Sequence, residues 1–207
     1  MNEPIEWLLN ELNADFQKGY IKFLEEGRID AVAELKESTK IEPSKETVQK
    51  GYISLLENCL IHDAINLKEI SCIEPIIDIN LKEAVQKAYV KCFEKGMIDD
   101  ALRLKWFTDV APSEKTVHEV YAKLFEAGRI RYAANLNKFS GIKPSEAEVQ
   151  IGYAKRLEKR IIDCNCILNG INDAILLKEF SGISPSKEIA EKYPDIAESL
   201  RGYGERK

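Results

Sequence analysis

No stretch of this chain approaches the roughly 18 consecutive apolar residues that span a bilayer, so it offers no membrane-crossing helix. Residues Met1 to Glu6 lack the basic cluster and apolar core of a secretory signal. Cysteine is sparse: five scattered residues, an odd number, make no disulfide framework and point to reduced thiols in a cytoplasm. The two histidines, His62 and His118, have no nucleophile at a meaningful spacing. There is no Gly-rich phosphate loop, no His-Glu-x-x-His and no carboxylate pair in a plausible cleft. Cys164 and Cys166 stand beside Asp163, but no second Cys/His pair completes a zinc pattern. The expectation is a protein that is not an enzyme and needs no metal, cofactor or small-molecule substrate. Its net charge of −5 argues against indiscriminate binding to nucleic acid or an anionic membrane, without excluding a local basic face.

What is present is a repeat. Five segments open on an apolar residue, Phe16, Val48, Val85, Val117 and Val149, spaced 32, 37, 32 and 32 residues apart. Four residues later each has a tyrosine: Tyr20, Tyr52, Tyr89, Tyr121 and Tyr153. Nine residues after the opening mark each has a glutamate: Glu25, Glu57, Glu94, Glu126 and Glu158. A second apolar stretch carries Leu35, Leu67, Leu104, Leu136 and Leu177, and eight residues beyond each leucine is a proline: Pro43, Pro75, Pro112, Pro144 and Pro185. Two departures stand out. Extra residues follow Pro75, in Ile76–Lys82, which predicts a longer linker there. Nine more lie around Arg160–Asp173 in the fifth copy.

The marks predict two helices per copy. Val48, Tyr52, Ile53 and Leu56 form one apolar stripe, and Ile98, Ala101, Leu102 and Phe107 form another on a second helix. Gly27, Gly96 and Gly128 suit the left-handed residue that ends the first helix, and Gly141 and Gly182 the one that ends the second. Cys72 and Asp109 stand in for glycine elsewhere, at a conformational cost. Ser44, Ser113, Ser145 and Ser186 are candidate N-caps, with Ser145 and Glu148 forming a capping box. A lone hairpin leaves one apolar side wet, so the copies are expected to stack on one another. The predicted fold is all-α: a right-handed α-solenoid of five helix-turn-helix repeats at 16–47, 48–84, 85–116, 117–148 and 149–188. An N-terminal cap helix at 1–15 and a C-terminal cap with tail at 189–207 would close it, the latter breaking at Pro194.

Tyr-x-x-x-Phe/Leu-Glu-x-Gly, then Ile-x-x-Ala, then Ser-Gly-Ile-x-Pro, is similar to the pentatricopeptide repeat and more loosely to the tetratricopeptide class. Ala122–Ser145 resembles it most closely, and the likeness extends from Phe16 to Pro185. The resemblance implies that first helices line a concave face and that single-stranded RNA is a possible ligand. The implied base-reading positions fall on Lys18, Lys50, Lys87, Glu119 and Ile151, or on Gln17, Gln49, Gln86, His118 and Gln150. A second set falls near Ser44, Ile76, Ser113, Ser145 and Ser186. Lysine and isoleucine read bases poorly, so no sequence-reading code follows.

One surface recurs along the array. Positions two and six after each opening mark share a helix face. They read Lys18 and Lys22, Lys50 and Ser54, Lys87 and Lys91, Glu119 and Lys123, Ile151 and Lys155. Such a lysine ladder would follow a phosphate backbone or an acidic peptide. Each position-six lysine also stands three residues before the recurring glutamate, which predicts ion pairs within the helix worth roughly 0.2–0.5 kcal/mol each. The expected function is a non-catalytic adaptor holding a protein or peptide in its groove, with single-stranded RNA binding as the alternative. The candidate groove residues are Lys18, Lys22, Gln49, Lys50, Gln86, Lys87, Lys91, His118, Lys123, Gln150 and Lys155.

Overall fold

A computed structural model describes the backbone of residues 3–162 and 167–204, with side chains for 7–158, 170–194 and 197–201. Among these residues the protein is all-helical, with twelve helices and no strand. Ten form five hairpins. The first two are α1 (Glu3–Glu25) with α2 (Ile29–Thr39) and α3 (Lys45–Glu57) with α4 (Ile61–Ser71). The third is α5 (Ile79–Lys95) with α6 (Ile98–Thr108), and the fourth α7 (Glu114–Glu126) with α8 (Ile130–Ser140). The fifth is α9 (Glu146–Ile162) with α10 (Ile167–Ser181), followed by α11 (Lys187–Lys192) and α12 (Pro194–Gly204).

The chain divides into two compact units, residues 1–91 with 99–110, and residues 92–98 with 111–207. In the first, α1 packs on its hairpin partner α2 and on the next first helix α3, while α4 packs on α3 and α2. In the second, α7 packs on α8 and α9, α10 on α9 and α8, and α12 on α10 and α11. Each hairpin therefore covers its neighbour's apolar side. The recurring tyrosines and leucines fill these seams: Tyr20, Tyr52, Tyr89, Tyr121 and Tyr153 are buried, as are Leu67, Leu104, Leu136 and Leu177. Ala64, Ala101, Ala133 and Ala174 are buried at the matching point of the second helices.

The segment leaving each second helix is built the same way five times. A hydroxyl residue (Thr39, Ser71, Thr108, Ser140, Ser181) donates to the carbonyl of the recurring leucine one turn back. Its oxygen also accepts the amide of the β-branched residue two positions on: Ile41, Ile73, Val110, Ile142 and Ile183. Between them sits a left-handed residue with φ from 53° to 78°, in turn Lys40, Cys72, Asp109, Gly141 and Gly182. The recurring tyrosine then donates its hydroxyl to the β-branched carbonyl, at 2.6, 2.5, 2.7, 2.7 and 2.9 Å along the chain. A buried carbonyl without a donor costs about 1–3 kcal/mol, which accounts for a phenol rather than a phenyl ring at this position. Ser44, Ser113 and Ser186 then cap α3, α7 and α11. Ser145 and Glu148 cap each other's amides at the start of α9.

Several details differ from the sequence expectation. α1 is one unbroken helix from Glu3 to Glu25, so the expected cap helix at 1–15 is the first part of the first repeat's own helix. The surplus at Ile76–Lys82 mostly lengthens a helix rather than a linker: Asp78 caps the amide of Leu81, and α5 has 17 residues where α3 has 13. In the fifth copy α9 has 17 residues against 13 in α7, and α10 has 15 against 11 in α8, about one added turn each. Lys40 and Cys59 join Cys72 and Asp109 as non-glycine residues at positive φ. The C-terminal break falls at Tyr193, with Pro194 opening α12. Cys164 and Cys166 lie outside the described residues.

Candidate binding surface

The candidate glutamines sit on first helices and are held by the segment that follows the second helix. Gln17 donates to the Glu42 carbonyl at 3.0 Å and accepts the Ser44 amide at 2.8 Å. Gln49 does both with Ile76, at 2.6 and 2.9 Å. Gln150 donates to the Ser184 carbonyl at 2.9 Å and accepts the Ser186 amide at 2.7 Å. An amide with one donor and one acceptor face suits this task, because the proline between the two flanking residues has no N–H of its own. In the fourth repeat His118 takes the glutamine's place and meets the Glu148 carboxylate through Nδ1 at 3.0–3.1 Å. That carboxylate also accepts the Ser145 amide at 2.7 Å. Gln86 is likewise engaged. The glutamine row thus serves the junctions between repeats.

The lysines are met by acids or carbonyls. Lys18 pairs with Asp15 at 2.9 Å and Lys50 with Glu46 at 2.7 Å, both along their own helices. Lys87 reaches back one repeat to Glu57 at 2.7 Å, and Lys91 donates to the Glu57 carbonyl. Lys123 lies between Glu94 of the preceding repeat at 2.8 Å and Glu119 at 2.9 Å. Lys155 pairs with Glu158 at 3.3 Å. Lys22 is exposed near the end of α1. Hydrogen bonding to Glu57 pushes the Lys87 ammonium above its ordinary value, and Glu94, then Glu119, do the same for Lys123. The Lys50 hydrogen bond holds the Glu46 carboxyl below the usual range. Of the four expected three-residue pairs, Lys155–Glu158 forms as drawn; Lys91 and Lys123 instead reach the recurring glutamate of the previous copy.

Two grooves lie on first helices. One, of about 260 Å³, is walled by Ile21, Leu24, Glu25, Ile53, Lys50 and Glu57. The other, of about 350 Å³, runs between α9 and α11, with Ile151, Ala154 and Ile189 on its apolar side and Glu158, Glu188 and Lys192 on its polar side. Ile151 is 39% exposed there, at a ladder position that carries lysine in the first three copies. The buried hydroxyl of Tyr193, on the same groove, has no partner among the described residues.

The sequence reading passed over one polar pair. Arg156 holds the first-helix position occupied by buried Leu55, Cys92 and Leu124 in the three preceding copies, and its Nε donates to Asp173 at 2.6 Å. An arginine in an apolar column was the available signal. Among the described residues no group of three His, Cys, Asp or Glu is placed to hold a metal, and no helix is long and apolar enough to cross a membrane. No protein-family model, curated protein or solved structure matches the chain.

Proposed function

We propose that the five hairpins continue one another as a right-handed α-solenoid, and that its first-helix face holds a segment of a partner protein without catalysing a reaction. The neighbour-on-neighbour packing within each unit supports the stacking. The observation that carries the functional reading is charge: five of the seven ladder lysines have a carboxylate within 3.3 Å. A polyanion needs uncompensated cations, because its affinity comes from releasing counterions as phosphates are neutralised. Grooves that combine isoleucine with both charge signs suit a polypeptide, which offers apolar side chains, amides and charges of either sign. Glutamine amides engaged with the backbone are not free for the edge of a base. The pentatricopeptide-like pattern is accordingly read as a kinship of hairpin design, not of ligand.

The test pairs two probes on the whole chain: a random-sequence single-stranded RNA pool at low and moderate salt, and a display library of random peptides. The expected result is no RNA retention even at low salt, and selected peptides whose binding falls when Ile151 is changed to Asp. RNA binding that collapses with salt and disappears in the Lys22, Lys91, Lys123 and Lys155→Glu variant would overturn the reading in favour of RNA.

A further inference from the structure

The largest cavity described, about 680 Å³, is lined by Glu94, Lys95, Gly128, Arg129, Ile130, Arg131, Tyr132, Arg156 and Asp173. It lies wholly within the second unit, at the turn that joins α7 to α8. Two departures from the repeat meet there. The first is Arg156, in its otherwise apolar column. The second is at the start of α8. The matching pair of residues is Asp30-Ala31, His62-Asp63, Asp99-Asp100 and Asn172-Asp173 in the other four copies, each with an acid. The fourth copy has Arg131-Tyr132. A carboxylate is thus replaced by a guanidinium at the one repeat whose neighbour brings a second guanidinium to the same space.

The balance of charge around the cavity is positive. Lys95, Arg129, Arg131 and Arg156 face two carboxylates, and Glu94 directs its own to Lys123 at 2.8 Å. Asp173 is left to orient the arginines. It accepts Arg156 Nε at 2.6 Å and stands 3.7 Å from Arg131 Nε. Arg156 and Asp173 are well shielded, with side chains 19% and 11% exposed, whereas Arg131 is open to solvent at 75%. Arg129 is fixed by a hydrogen bond to the Glu94 carbonyl and by the face of Tyr132, 5.9 Å away. Tyr132 in turn lies against Gly96, where an added Cβ would come within 2.7 Å of the ring. Each guanidinium has five donors, and one or two are used within the protein. α8 has no side-chain cap and no acid in its first turn.

We infer that this cavity is an oxyanion site whose ligand is a phosphate monoester. A dianion matches the uncompensated charge, and guanidinium forks are the side chains that meet a phosphoryl group with paired hydrogen bonds. The site owes nothing to the first-helix face and stands whether or not that face binds a peptide. The phosphate could be carried by a small molecule or by a phosphorylated side chain, and the chemistry at the cavity is the same.

Titration calorimetry on the full chain at low ionic strength tests it, with inorganic phosphate, phenyl phosphate, and a phosphoserine peptide beside its unphosphorylated form. Millimolar or tighter binding of phosphate and phenyl phosphate is expected. It should weaken about tenfold or more in Arg131→Asp, which installs the residue that two sibling repeats already carry there. Lys95→Glu should weaken it in the same direction, and it remains informative if Arg131→Asp fails to fold by circular dichroism. Lys187→Glu, on the exposed start of α11, should leave binding unchanged. A phosphoserine peptide that binds more tightly than phenyl phosphate identifies a protein-borne phosphate, and the reverse order a small molecule. Absence of binding at millimolar phosphate overturns the site, as does equal loss in Lys187→Glu or no loss in the folded cavity variants.

Discussion

The two ends of a hairpin obey different constraints in this protein. Where the chain leaves a second helix, five copies keep the same parts: hydroxyl residue, left-handed residue, β-branched residue, proline, and a tyrosine closing on the β-branched carbonyl. Where a first helix turns into its second, the described copies share little beyond one residue at positive φ: Gly27, Cys59, Gly96 and Gly128, between 62° and 73°. The side chains around that turn diverge freely, from Arg28 to Leu60 to Met97 to Arg129. A junction whose polar groups all depend on one another tolerates little change. A turn held by a single backbone angle tolerates much, and the arginines gather beside it.

The largest effect expected lies on the divergent side. Arg156→Ala leaves Asp173 buried without its closest cation and should cost about 3–5 kcal/mol, read as a lowered urea midpoint. Replacing both residues by leucine should recover most of the loss, since a packed apolar pair is commonly equal to a buried ion pair. If Arg156→Ala costs less than about 1 kcal/mol, solvent screens the pair and the divergent end is as tolerant there as elsewhere.

Next in size is the repeated junction. Tyr52→Phe removes the donor to the Ile73 carbonyl and should cost about 1–3 kcal/mol. A loss confined to a few tenths in urea unfolding would show that the hydroxyl is incidental. Alkaline pH attacks the same element. Burial pushes the Tyr52 phenol up to about 12, and raises Tyr20, Tyr121 and Tyr153 as well. An unfolded tyrosine titrates near about pH 10, so the folded state favours the protonated phenol. That stability is complete below about pH 10 and is lost as pH rises through the folded value. Urea midpoints should begin to fall near about pH 10, before the lysines discharge fully, and Tyr52→Phe should flatten part of that fall.

The smallest effects concern backbone angle alone. Lys40, Cys72 and Asp109 sit at φ of 57°, 55° and 53°, where Gly141 and Gly182 serve the same joint. Changing each to glycine should stabilise by about 0.5–1 kcal/mol, near additively, as raised melting temperatures. Changing Cys72 to alanine should give no such gain.

Much of the local design was legible. The hairpin pattern, the serine caps and the Ser145–Glu148 box follow from side-chain spacing, because each is an interaction within one turn of chain. Lys40 and Cys59 at positive φ were not, since nothing in those side chains announces a left-handed backbone. The ion pairs were drawn within one helix, while Lys87–Glu57 and Lys123–Glu94 join residues 30 and 29 positions apart. Those separations fall slightly short of the repeat period, and reading the period as a contact distance would have found them. The engaged glutamines and the Arg131–Arg156–Asp173 cluster needed coordinates, because their partners arrive from other helices.

The order of amino acids alone set the period, the helix faces and the chemistry of each turn, because those depend on neighbours a few residues away. Which polar side chain answers which was settled by packing. A lysine on a helix can reach acids on its own turn or on the next repeat, and only the spacing of the packed helices selects between them. The same selection placed three arginines around one cavity, where backbone distances decide whether like charges diverge or converge.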